Sequence, residues 1–120
     1  MSALKDGRYE IELDKKRYLL FDLNVIDELN EKYGGYDKLG EVLDAVKNPH
    51  YIKDLKWILT LLINEGAEEN DPELTERQVG KLINTGNMDT ALTSVFAAFS
   101  IGITGGQVDE NPKIAAMSAT

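Results

Sequence analysis

The stretch Tyr51-Ile-Lys-Asp-Leu-Lys-Trp-Ile-Leu-Thr-Leu-Leu-Ile-Asn64 decides how the rest of this 120-residue chain is read. At 3.6 residues per turn, Tyr51, Ile52, Leu55, Ile58, Leu59 and Leu62 share one stripe, and Trp57, Leu61 and Ile63 widen it. A helix that is apolar nearly all round sits centrally in its domain. The spacing predicts a helix over about 50–65 at the middle of the core. Its most apolar run, Trp57–Ile63, is interrupted by Thr60 and falls well short of the roughly 20 apolar residues of a membrane span.

On the N-terminal side, Arg8–Asp14 alternates, with Tyr9, Ile11 and Leu13 on one face and Glu10, Glu12 and Asp14 on the other. A period of two is that of a half-buried strand. The polar run Asp14-Lys15-Lys16-Arg17 then reads as a turn. Tyr18–Leu23 returns as a second strand, apolar on both faces, which requires helices or another chain to cover it. The hairpin spans residues 8–23. Asn24 is placed to cap a helix over about 24–34, with Val25, Ile26, Leu29 and Tyr33 inward and Asp27 and Glu28 at the positive end of its dipole. Gly34-Gly35 stops it. A short helix over about 36–47 follows, with Tyr36, Leu39, Leu43 and Val46 inward and Val42 flanking, and Asn48-Pro49 ends it.

On the C-terminal side, Glu65–Pro72 reads as an exposed acidic loop. Thr75 and Gln78 have the spacing of a capping box, opening a helix over about 75–85 with Val79, Leu82 and Ile83 inward. Asn87 is placed to cap a last helix over about 88–102, whose stripe is Met88, Leu92, Val95, Phe96, Phe99 and Ile103. Gly102 and Gly105-Gly106 are expected to break it, leaving 104–120 as a flexible tail. The fold class is therefore α+β and mostly α: a two-stranded hairpin packed on about five short helices, forming one domain over residues 1–103.

Composition narrows the function. There are 13 Lys+Arg against 21 Asp+Glu, a net charge of −8, with no Cys and one His, His50. The acidity argues against a duplex-binding surface. Without cysteine, disulfides and thiolate zinc sites are excluded, and a lone His removes most Ser–His and multi-His schemes. Neither a signal-like segment in Met1–Asp6 nor a myristoylation start is present, since Ser2 follows Met1, so the chain reads as cytosolic.

The remaining chemistry is thin. Asp27/Glu31 and Asp37/Glu41 are i, i+4 carboxylate pairs on polar helix faces, not acids flanking a pocket. Glu65–Glu76 carries six acids and no base, but aligned as a calcium loop it places Ala67 at the third ligand position and Asn70 where glycine is needed. The paired glycines lack a phosphate-loop context. Lys15, Lys16 and Arg17 read as a solubilising basic tip. No catalytic, cofactor or metal residue is assigned, and no enzyme activity is expected. Candidate partner-binding residues are Phe96, Phe99, Ile101 and Ile103, which precede a polar tail, with Tyr51 and Trp57 second.

Three segments together resemble one family. Tyr9-Glu-Ile-Glu-Leu13, followed by Tyr18-Leu-Leu-Phe-Asp-Leu-Asn24 and the acid-rich helix to Gly34, looks like the opening of small tail assembly chaperones of long-tailed siphophages and gene-transfer-agent-like particles. Trp57-Ile-Leu-Thr-Leu-Leu-Ile-Asn-Glu65 is similar to their central helix, and Asp71-Pro-Glu-Leu-Thr-Glu-Arg-Gln-Val-Gly80-Lys-Leu-Ile83 to a third landmark. The resemblance covers about residues 8–100. It implies a non-enzymatic phage or prophage protein of the host cytoplasm, absent from the mature virion. Such a protein binds the tape measure protein and helps recruit tail tube protein, in some families through a frameshift-extended form. A homo-oligomer is compatible with it; no cofactor, nucleic acid or membrane is implied. The reading from a different class is a small acidic regulator, or DNA mimic, of a basic host protein.

Overall fold

The computed structural model describes the backbone of Leu4–Lys5 and all of residues 7–105. The expected tail lies, from Gly106 on, outside the described residues. Leu4–Lys5 (β1), Arg8–Glu12 (β2) and Lys16–Leu19 (β3) form an antiparallel sheet in the order β1-β2-β3. Helices follow at Leu23–Tyr33 (α1), Leu39–Val42 (α2, entered through a 3-10 turn at Tyr36–Lys38), Tyr51–Glu65 (α3), Glu76–Leu82 (α4) and Met88–Thr104 (α5). The α+β class, with a hairpin on five helices, is the one the periodicities predict. The two-residue strand β1 is an addition.

In the hairpin, Tyr9 pairs with Leu19 and Ile11 with Arg17, so the buried Ile11 and Leu19 lie on one face. The turn Leu13–Lys15 is closed by the Leu13 N–H donating to the Lys15 carbonyl at 2.9 Å. The basic tip is not simply solvated. Arg17 donates twice to the Asp14 carboxylate at 2.8 and 2.9 Å, and Lys15 reaches Asp71 at 2.8 Å. The Arg17 bond pulls the Asp14 carboxyl down to about 2. That pair therefore contributes above the ordinary carboxylate range and is lost as pH falls towards 2.

Three boundaries differ from expectation for one shared reason: a side chain satisfies a backbone group that the helix would otherwise claim. Asp22, not Asn24, caps α1, its carboxylate accepting from the Val25 N–H at 3.2 Å. The second strand consequently ends at Leu19, and Leu23 is an exposed first helical residue. The second helix stops at Val42 instead of 47, because Asp44 accepts from the Val46 N–H at 2.8 Å. Val46 is 93% exposed, not inward as its spacing predicts. Asn87 donates to the Leu82 carbonyl at 3.0 Å and accepts from the Asn84 N–H at 2.8 Å, so α4 ends at Leu82 and Asn87 makes no side-chain cap to α5. By contrast, the capping box forms as spaced, Gln78 N–H to Thr75 Oγ1 at 3.1 Å and Thr75 N–H to Gln78 Oε1 at 2.8 Å.

α3 is central. Leu55, Ile58, Leu59, Leu62 and Ile63 are buried, and the helix contacts β3, α1, α4 and α5. Ile52 is exposed, on the side of α3 away from the core. The acidic loop is partly tied down rather than free. Asn64 donates to the Leu74 carbonyl and accepts from the Leu74 N–H, both at 2.9 Å, while Arg8 approaches Glu68 at 3.7 Å.

Two glycines set how closely the layers approach. A Cβ on Gly66, at the end of α3, would collide with the Tyr18 carbonyl oxygen and stand 3.0 Å from the Leu20 nitrogen. Gly102 does not break α5. It lies inside the helix, where a Cβ would collide with the Phe21 carbonyl oxygen and meet Phe21 Cδ1 at 2.7 Å. G66A and G102A are each expected to destabilise by about 1–3 kcal/mol, as overpacking does. G40A, whose Cβ meets nothing within 4 Å in α2, is expected to gain about 0.4–1 kcal/mol. Urea unfolding midpoints separate the two outcomes.

Candidate partner-binding surface

α5 brings four of the six candidate residues to one end of the molecule and divides them. Phe96, Phe99 and Ile103 share a face at i, i+3, i+7, and Ile101 lies on another. Phe96 is 36% and Ile103 47% exposed. Phe99 is half-buried, edge-on to Phe21 with centroids 5.1 Å apart and tilted against Tyr36 at 6.3 Å. Ile101 is 5% exposed and belongs to the core side. It is nevertheless one wall of a cleft.

That cleft encloses about 340 Å³ between the end of α5 and the start of α1. Leu20, Phe21, Leu23, Ile26, Ile101 and Gly102 form its apolar lining, with Asp22 at its edge. Leu23 stands 80% exposed beside it. Phe21 lines the cleft and also packs edge-on to Phe99, so Phe99 flanks the cleft, while Phe96 and Ile103 face away from the cleft residue Ile101 on α5. Sequence reading missed Leu23, Ile26 and Tyr36 as members of this surface. The signal was Asp22 three residues before Val25, the N-cap spacing that makes Leu23 an outward-facing first helical position.

Tyr51 and Trp57 belong elsewhere. Trp57 is half-buried and packs edge-on to Tyr33 at 5.9 Å, with Lys32 Nζ 4.6 Å above its ring. The Tyr33 hydroxyl donates to Asp54 at 2.9 Å, and Asn48 donates to the other Asp54 oxygen at 2.8 Å and to the Val42 carbonyl at 2.6 Å. Burial and then Asp54 push the Tyr33 hydroxyl upward, keeping it a neutral donor. Asn48 thus ties the 43–50 loop to Asp54 of α3, and Tyr33 shares that carboxylate. Tyr51 is half-buried at the first position of α3.

Asp22, which lines the cleft, meets a second carboxylate at the end of α3. Asn24 donates to Glu65 Oε2 at 2.9 Å, holding the last residue of α3 against the start of α1. The Asp22 carboxyl, within hydrogen-bonding reach, holds the Glu65 carboxyl above its ordinary value; burial and the charge of Glu28 add to this. The pairs Asp27/Glu31 and Asp37/Glu41 are exposed on helix faces. His50 is exposed and makes no side-chain cap to α3. Among the described residues, no group of three or more His, Cys, Asp or Glu is arranged to hold a metal ion, and no helix is long and apolar enough to cross a membrane.

A carboxyl raised in the folded state stabilises the fold below its unfolded value and loses that contribution as pH rises through the raised one. The Asp22–Glu65 contact is therefore favourable in mild acid and repulsive at neutral pH. E65Q keeps the Asn24 bond and removes the repulsion. Its urea midpoint should exceed that of the unsubstituted protein at about pH 7.5, with the difference fading towards pH 4. No protein-family model, curated protein or solved structure matches the chain.

Proposed function

We propose that this protein is a tail assembly chaperone of a long-tailed phage or prophage, which holds the tape measure protein during tail morphogenesis and helps recruit tail tube subunits. The observation that carries the reading is the exposure of Phe96 and Ile103 on one face of α5, in a small chain of net charge −8. A holdase needs a surface that covers a partner's apolar stripe reversibly, and helix-in-groove contact does that. The excess of carboxylates disperses a complex of many copies by repulsion. The order of the hairpin, central-helix and capped-helix motifs, which resembles that of this family, supplies the identity of the partner.

The affinity needed is modest. A large apolar side chain covering roughly 60 Å² at about 25 cal/mol per Å² contributes roughly 1.5 kcal/mol, near tenfold in affinity. Co-expression with the cognate tape measure protein should keep that protein in the supernatant and co-purify a complex. F96S and I103S should each lower recovery of the complex by up to roughly tenfold without changing the thermal midpoint by more than a few degrees. An insoluble tape measure protein with no co-purifying complex would sink the reading.

A further inference from the structure

The cleft between the start of α1 and the end of α5 is also the place where the chain leaves the fold. Leu20, Phe21, Leu23, Ile26 and Ile101 supply its apolar walls and Asp22 its acid; among the described residues no Lys or Arg lines it. Its volume of about 340 Å³ admits a pair of aliphatic side chains. Gly105 is itself a lining residue, and with a φ of 72° it ends α5, its N–H donating to the Ile101 carbonyl. The chain therefore continues from the wall of the cleft, as Gly106-Gln-Val-Asp-Glu-Asn-Pro112-Lys-Ile-Ala-Ala-Met117. Lys113 is the one cation among residues 106–120, and Ile114 and Met117 follow it directly. Asp109 and Glu110 lie on the other side of Asn111-Pro112, a dipeptide that favours a turn. Lys113–Met117 is thus an apolar stretch with a single positive charge, the complement of an apolar cleft with a single acid.

We propose that the cleft is a docking site for this chain's own segment Lys113–Met117: Ile114 and Met117 seat against Leu20, Leu23, Ile26 and Ile101, and Lys113 meets Asp22. Eight residues separate Gly105 from Ile114. At about 3.3 Å each they are long enough to lead out, turn and return across the cleft. A segment tethered this closely has an effective concentration of about millimolar, so a contact too weak to hold a free peptide is populated within the chain. Docking covers Leu23, which is otherwise 80% exposed, and brings a cation to the point where the Asp22 and Glu65 carboxyls meet. The segment then acts as a displaceable occupant. Any other polypeptide entering the cleft competes with it, and its apparent affinity falls by the fraction of chains in which the cleft is open. The proposal is independent of the tail-assembly reading, which rests on Phe96 and Ile103 on the face of α5 turned away from the cleft.

The sequence has no cysteine, so S118C gives the full chain a single site for a nitroxide label. The label should broaden the amide signals of Leu20–Ile26. That broadening should fall at least roughly threefold in the labelled chain that also carries I114S and M117S, whose residual effect is what tethering alone produces. L23S should lower it to a similar degree, K113E should lower it about twofold or more, and K113R should retain it. Tenfold dilution should leave the effect unchanged. A mixture of labelled chains without nitrogen-15 and nitrogen-15 chains without label should show none. Far-UV circular dichroism separates loss of docking from loss of fold, and I114S with M117S lies outside every helix and strand described, so that comparison stands even where L23S unfolds. Equal broadening with and without Ile114 and Met117 overturns the proposal, as does indifference of a folded L23S or of K113E. Broadening in the mixed sample overturns it too, since the occupant is then a second copy.

Discussion

The rest of the fold depends on the close seating of the segment Tyr18–Asp22 between the ends of α3 and α5. The Leu20 N–H donates to the Leu62 carbonyl at 3.2 Å, and Arg8 donates to the Gly66 carbonyl at 3.1 Å. On the other side, Phe21 lies against Gly102 and edge-on to Phe99. A two-stranded hairpin has too little core to stand alone. Here its exit strand is held by two helices that approach it at positions without a Cβ. Burial of Leu19 and Phe21 follows from that approach, and so does the direction in which α1 leaves.

The same seating creates the candidate surface. Asp22 caps α1 immediately after Phe21, so Leu23 begins the helix facing outward while Val25 and Leu29 turn into the core. The cleft is the gap left where α1 diverges from the last turns of α5. Asp22 at the cap of α1, Glu28 in its second turn and Glu65 at the end of α3 lie near one another, and of these Asp22 lines the cleft. Glu65 adds charge where α3 already presents its negative end, and Asn24 compensates by a neutral hydrogen bond.

Much of the architecture was legible in local periodicity. The alternation of Arg8–Asp14, the stripe of Tyr51–Asn64 and the Thr75/Gln78 box are patterns in which neighbours in sequence decide the outcome. What misled was side-chain competition for backbone groups at Asp22, Asp44 and Asn87, together with glycine at 102. An embedded glycine reads as a breaker when the neighbour that needs the space, Phe21, lies 81 residues away. Among the candidate residues, helical spacing grouped Phe96, Phe99 and Ile103 but could not say which flank the core would cover. Phe99 is held by Phe21 and Tyr36, and Ile101 turns inward. Trp57 and Tyr33 were both visible as apolar positions, but the tie from Tyr33 through α3 to the 43–50 loop depends on Asp54 and Asn48 converging.

The sequence by itself determined the class of fold, the central place of α3 and the acidic character of the chain, because these follow from periodicity and composition. Tertiary structure alone decided which apolar residues remain outside and which distant acids meet. Phe96 and Ile103 are exposed because α5 turns Ala91, Val95, Ala98 and Ile101 to the core, and Leu23 because Asp22 caps α1 just before it. Asp22 and Glu65 meet across 43 positions of sequence because β3 ends against α3. Contacts between distant segments are set by how the layers close, and at this junction two missing Cβ atoms set that distance.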